Sequence, residues 1–128
     1  MYKKLTILVL VLFMLMTTPL WAVEEITIDP QASSVFLSYG SSIAKNGDSI
    51  TCTAFSHLIN DYSQSISMNL QRYENGSWVT LQSWYGSRYD VTLTVGGGYP
   101  LSPGTYRVLS THKAGGETRT SYSGNYSI

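Results

Sequence analysis

Charge, sulfur and long apolar runs are all scarce in this sequence of 128 residues. Charged side chains make up only 12% of it, against roughly 25% in an average globular domain. Eight basic residues balance eight acidic ones. There is thus no basic block to neutralise phosphates and no acidic excess of the kind that marks a solvating tail, and nucleic acid is excluded as a partner. A single cysteine, Cys52, excludes a disulfide framework and any multi-thiolate metal site. The main apolar run, from Leu5 to Met16 and broken only by Thr6, is about 12 residues long, short of the roughly 18 to 20 that cross a bilayer as a helix.

What is present begins with an address. Lys3 and Lys4 precede that apolar run, and Thr17, Thr18, Pro19 and Ala22 follow it. This is the three-part pattern of a secretory signal peptide over residues 1–22, with cleavage expected after Ala22. No cysteine follows the run for lipoprotein processing, and no apolar or basic tail closes the chain. The expectation is a free, secreted, extracellular protein with no stable membrane insertion after cleavage. The acidic, proline-containing residues 23–32 read as a flexible leader, and residues 33–128 as one domain. Removing Lys3 and Lys4 leaves six basic against eight acidic residues, so the secreted form carries −2 by difference.

The remaining residues hold 18 Ser, 10 Thr and nine Tyr, few of them good helix formers and many suited to a half-exposed pleated surface. Ile50, Cys52 and Ala54 alternate with Ser49, Thr51 and Thr53. Ile66, Met68 and Leu70 alternate with Ser65, Ser67, Asn69 and Gln71, and Tyr89, Val91, Leu93 and Val95 with Asp90, Thr92 and Thr94. Period two with one apolar face is the signature of strands, and no sustained 3.6-residue repeat competes with it. Asn46-Gly47, Asn75-Gly76, Gly96-Gly97-Gly98, Pro100 to Gly104 and Gly115-Gly116 punctuate the chain. The spacing predicts a strand pair within Ser33 to Lys45, then strands near 49–57, 65–74, 77–85, 89–96, 104–112 and 117–128. The triple glycine reads as a flexible connection. About seven short strands describe an all-β, antiparallel, immunoglobulin-like β-sandwich.

One hairpin can be worked out in full. Asn75-Gly76 is the strongest two-residue hairpin signal, because both central positions of a type I′ turn need positive φ. Residues on the two strands then pair so that their numbers total 151, which places Tyr73 opposite Trp78, Leu70 opposite Leu81, Ser67 opposite Trp84 and Ile66 opposite Tyr85. One face carries Ile66, Met68, Leu70, Arg72, Val79, Leu81 and Tyr85 toward the core. The other carries Ser67, Asn69, Gln71, Tyr73, Trp78, Thr80, Gln82 and Trp84 toward water or a partner. The last seven are the candidate binding residues: flat aromatic rings flanked by amides and hydroxyls suit a protein or cell-surface partner, with a glycan as a further alternative. Alternatively, the Tyr73 and Trp78 pair only stabilises its hairpin.

Catalytic chemistry finds little support. His57 and His112 are the only histidines; each stands at the expected end of a strand, where an exposed loop position is the ordinary reading, and neither has a second ligand at metal spacing. No Gly-x-Ser-x-Gly elbow and no phosphate-binding glycine motif occurs. Cys52 belongs to an apolar face, the wrong place for a reactive thiolate. No enzyme activity, cofactor or metal is expected, and no residue specifies an oligomeric state. A small secreted bacteriocin-like toxin is the alternative to a binding module.

Pro103-Gly104-Thr105-Tyr106-Arg107-Val108, followed by a hairpin at Gly115-Gly116-Glu117 and a final strand, resembles the last third of fibronectin type III and related immunoglobulin-like domains. The resemblance implies that Tyr106 is a corner tyrosine bonding back to the backbone upstream. The chain departs from that pattern in having Cys52 and Ala54 where a core tryptophan stands on the second strand. Asn75-Gly76-Ser77-Trp78, Trp84 and Tyr106-Arg107-Val108 leading to Thr111-His112 also resemble a family of short secreted proteins of unknown function from clostridia-like Gram-positive bacteria. That resemblance implies fold and secretion.

Overall fold

The computed structural model describes residues 34–128. The expected signal peptide and leader lie outside the described residues. Six strands follow in order: β1 (Phe36–Asn46), β2 (Ser49–Glu74), β3 (Ser77–Pro100), β4 (Thr105–Ala114), β5 (Glu117–Tyr122) and β6 (Tyr126–Ser127). Every pairing between them is antiparallel. The described chain is therefore all-β, as the period-two patterning requires.

Strand boundaries differ from the sequence reading in four places, one of them the split of the strand expected over 117–128 into β5 and β6. A single strand, β1, replaces the pair expected within Ser33 to Lys45. The segments 49–57 and 65–74 are joined in the 26-residue β2. The segments 77–85 and 89–96 are joined in the 24-residue β3, which runs on through Gly96-Gly97-Gly98. That triple glycine is no flexible connection, for its residues pair with Thr53, Cys52 and Thr51.

Strands this long must bend if both apolar faces are to be buried. The bend falls where β2 and β3 lose register between His57 and Tyr62, with four β2 residues facing only Val91. On one side of it, residues 49–57 pair with β1 and with residues 92–100 of β3. On the other, residues 62–74 pair with residues 77–90 of β3 and with β4, which carries β5 and β6. Ile50, Cys52, Ala54, Leu93 and Val95 from the first half and Ile66, Met68, Leu70, Tyr106 and Val108 from the second form one buried cluster. The sheet thus curls over and closes on its own apolar face, within the sandwich or barrel class.

A second cluster, Val35, Phe36, Leu58 and Ala114, lies beyond the first. Between the two runs a polar band. Along the inward face of β2, Ser56 sits between Ala54 and Leu58; along that of β4, Ser110 and His112 sit between Val108 and Ala114. All three are buried. Ser56 Oγ lies 2.8 Å from His112 Nδ1, and His112 Nε2 lies 2.8 Å from Ser121 Oγ. Ser41 Oγ is 2.6 Å from Ser121 Oγ and donates to Ser110 Oγ at 2.7 Å. Ser56, Ser110 and His112 therefore each have a partner, as burial demands. Burial alone lowers the His112 pKa to about 4, so the ring is neutral at ordinary pH.

This placement corrects the reading of His112 as an exposed strand-end residue. His57, in contrast, is exposed. It alternates with buried Ser56 along β2 and so faces away from the band, and the two imidazoles do not share a site. Cys52 is fully buried, as its place on an apolar face implies, and desolvation raises its thiol pKa to about 11.

Candidate functional site

The outer face of the four-stranded half begins at the Asn75-Gly76 turn. Both residues have positive φ, 49° and 85°, the type I′ geometry that the sequence requires. Next to the turn the pairing is as the sequence predicts: Tyr73 faces Trp78, Arg72 faces Val79 and Gln71 faces Thr80. Beyond it the register slips between Leu70 and Gln71, with Leu81 as the extra residue, so that Leu70 faces Gln82, Met68 faces Trp84 and Ser67 faces Tyr85. A one-residue bulge sends every following side chain to the opposite face.

Two candidate residues are thereby corrected. Trp84 and Gln82 do not belong to the outer face: they oppose the buried Met68 and Leu70, and Trp84 packs against the main core. Tyr85, expected in the core, is 68% exposed instead. The reason is room. Cys52 and its partner Gly97 leave a gap in the first half of the sheet, and the Trp84 indole fills it, lying where a Gly97 side chain would be. The sequence holds a trace of this bulge, for the apolar positions of β3 pass from odd numbers (Val79, Leu81) to an even one (Trp84).

Tyr73, Trp78, Asn69, Gln71 and Thr80 keep their expected side. Tyr73 and Trp78 meet edge to face with centroids 5.2 Å apart. Gln71 donates through Nε2 to Thr80 Oγ1 at 3.2 Å, and Asn69 Oδ1 accepts from Ser83 Oγ at 2.7 Å. β4 and β5 add residues that local sequence patterning could not place here. Because Gln71 faces Arg107 and Leu109 faces Tyr122, the Arg107 guanidinium comes to lie 4.3 Å from the Trp78 ring centre and 4.8 Å from that of Tyr122. Its Nε donates to Gln71 Oε1 at 2.8 Å. These two cation–π contacts and the hydrogen bond at Nε hold the guanidinium in place.

The face continues from this clamp as cross-strand rows. Ser83, Asn69, Leu109 and Tyr122 form one; Tyr85, Ser67, Thr111 and Thr120 form the next; Ser87, Ser65, Lys113 and Thr118 form a third. The last row lines a shallow groove beside the Gly115-Gly116 turn. Hydroxyl groups dominate, and the large exposed side chains are tyrosines: Tyr73, Tyr85, Tyr89 and Tyr122. Among the described residues, no three His, Cys, Asp or Glu side chains gather as metal ligands would.

No family model matches the chain, and no curated protein matches it. Among solved structures it is similar to the solution structure of R. palustris CsgH, with 13% sequence identity and a TM-score of 0.47, over 66% of this chain and 90% of that one.

Proposed function

We propose that the chain is a secreted, non-enzymatic binding module with a fibronectin type III-like sandwich, and that the outer face of its four-stranded half is the contact surface for a cell-surface partner. The fold reading draws support from the bend: counting the two halves of β2 and of β3 separately, and β5 with the two-residue β6 as one interrupted strand along β4, gives seven strand segments, three on one side and four on the other. Further support comes from Tyr106, fully buried, whose hydroxyl donates to the Ser102 carbonyl four residues upstream at 2.8 Å, the bond expected of a corner tyrosine. The family's missing core tryptophan has a counterpart here in Trp84, which enters the core from the opposite half over Cys52 and Gly97.

The observation that carries the functional reading is the clamp. Arg107 is fixed between two aromatic rings on a surface that also presents Tyr73, Gln71 and Thr80, and rigid aromatic and arginine side chains are the usual anchors of recognition surfaces. The test is a Trp78→Ala, Tyr122→Ala double variant of the full chain, assayed for binding to whole bacterial cells and to cell-wall material. Trp84 fluorescence and thermal unfolding report that the fold is intact. Loss of most binding is expected, and unchanged binding rejects the surface.

A further inference from the structure

Charges on the described residues are sorted by face. Of the five carboxylates, Glu74, Asp90 and Glu117 are engaged by Arg72, Arg88 and Arg119, while Asp48 and Asp61 lie outside the four-stranded rows. Arg107 and Lys113 have no carboxylate partner among the described residues. Both project from β4 onto the outer face, and no outward position on its four strands is Asp or Glu. A chain poor in charge, with an acidic mature composition, thus keeps two unneutralised cations on one hydroxyl-rich surface. Six residues of strand separate them, about 20 Å at ~3.3 Å per residue.

From this arrangement we infer that the surface binds an acidic polysaccharide, its carboxylate or sulfate groups taken by Arg107 and Lys113 and its sugar rings lying along the rows between them. This inference rests on the contact surface proposed above and names its ligand class. Arg107 makes its one hydrogen bond through Nε, which leaves the two η nitrogens for an oxyanion while the Trp78 and Tyr122 rings hold the guanidinium in place. A fork held in this way suits a planar carboxylate or a sulfate. Lys113 supplies a second point charge in the groove among Ser65, Ser87 and Thr118, where the one carboxylate in the lining, Glu117, is paired with Arg119. Between them the face offers hydroxyls, amides and exposed tyrosine rings, which match the alternating polar edges and apolar faces of pyranose rings. An acidic polypeptide would share the charges but would gain little from this face, where Leu109 is the one aliphatic side chain in the rows.

The experiment is affinity electrophoresis of the full chain in gels containing polygalacturonate, dextran sulfate, neutral dextran or poly-glutamate. Retardation by polygalacturonate or dextran sulfate, and not by neutral dextran, is expected, and it should weaken as salt is raised. Arg107→Gln should lower the affinity about tenfold, the loss of a charged hydrogen-bond donor, and Lys113→Gln severalfold. Arg107→Lys, which keeps the charge but not the fork, should fall between wild type and Arg107→Gln, with unfolding temperatures showing that each variant is folded. The inference is overturned if neither acidic polysaccharide retards the protein, or if poly-glutamate of matched charge binds as well. It is also overturned if the charge variants bind cells normally while the Trp78→Ala, Tyr122→Ala protein does not, in which case the contact surface stands and only its ligand class fails.

Discussion

The indole of Trp84 lies on the backbone of Gly97, in the space that any larger residue at 97 would claim. The two residues belong to the same strand, β3, on opposite sides of its bend. A reciprocal contact lies beside them, where a Cβ at Gly86 would meet Val95 Cγ2 at 2.7 Å. Each half of the strand offers a glycine to a large side chain of the other, which is how the fold closes along this edge.

Gly97→Ala is therefore expected to destabilise the protein by about 1–3 kcal/mol, through overpacking. Trp84→Ala should cost about 3 kcal/mol, through the cavity it leaves. The double variant should lose clearly less than the two single losses combined, because the clash disappears with the indole. Urea unfolding midpoints of the four proteins test this; strict additivity would mean that the two residues do not interact.

Stability should fall on acidification in a window set by His112. Its folded pKa of about 4 is depressed from 6.5 by burial. The stabilisation it contributes is complete above 6.5, where the ring is neutral in both states, and is lost as pH falls toward 4 because only the unfolded chain takes up the proton. The cost across that window is on the order of 3 kcal/mol. Unfolding free energies measured at pH 7 and pH 4 should differ less for His112→Gln than for the wild type.

Tyr106→Phe removes the hydroxyl that donates to the Ser102 carbonyl. A loss of about 1–2 kcal/mol is expected, the cost of an unmade buried hydrogen bond. A chemical denaturation curve with an unchanged slope and a lower midpoint would show it.

Cys52 should resist alkylation in the native protein, being buried with its thiol pKa raised to about 11. In concentrated urea it should react as an ordinary thiol. Rapid native labelling with iodoacetamide would contradict its placement in the core.

The all-β class and the first four pairs of the central hairpin, Glu74–Ser77 to Gln71–Thr80, could be read from the chain, because alternation and the Asn75-Gly76 turn act locally. The buried position of Cys52 followed from the same alternation. Trp84 could not be placed so simply: its side depends on a bulge at Leu81 whose driving force, the gap over Gly97, lies 16 residues further along and on the other half of the sheet. His112 was misplaced for a similar reason. A histidine near a strand end looks solvated until β2 and β5 bring Ser56 and Ser121 to its two nitrogens. Of the seven candidate residues, Asn69, Gln71, Tyr73, Trp78 and Thr80 stayed on their face because they lie on β2 or between the turn and the bulge. Arg107 and Tyr122 joined them through the pairing of β4 and β5, which no local pattern encodes.

The bend in β2 and β3 has a kinetic consequence. Because both strands cross from one half of the sheet to the other, more than half of the described residues belong to a single hairpin that closes around two residues, Asn75 and Gly76. Zipping outward from that turn forms strands of both halves through short loop closures, so little chain entropy is spent before the distant contacts of β1 and β4 are made. Gly76→Ala, which places a side chain at φ 85°, should accordingly slow refolding in stopped-flow measurements more than it speeds unfolding. The same change at Gly116 (φ 80°), in the turn between β4 and β5, should act mainly on the unfolding rate.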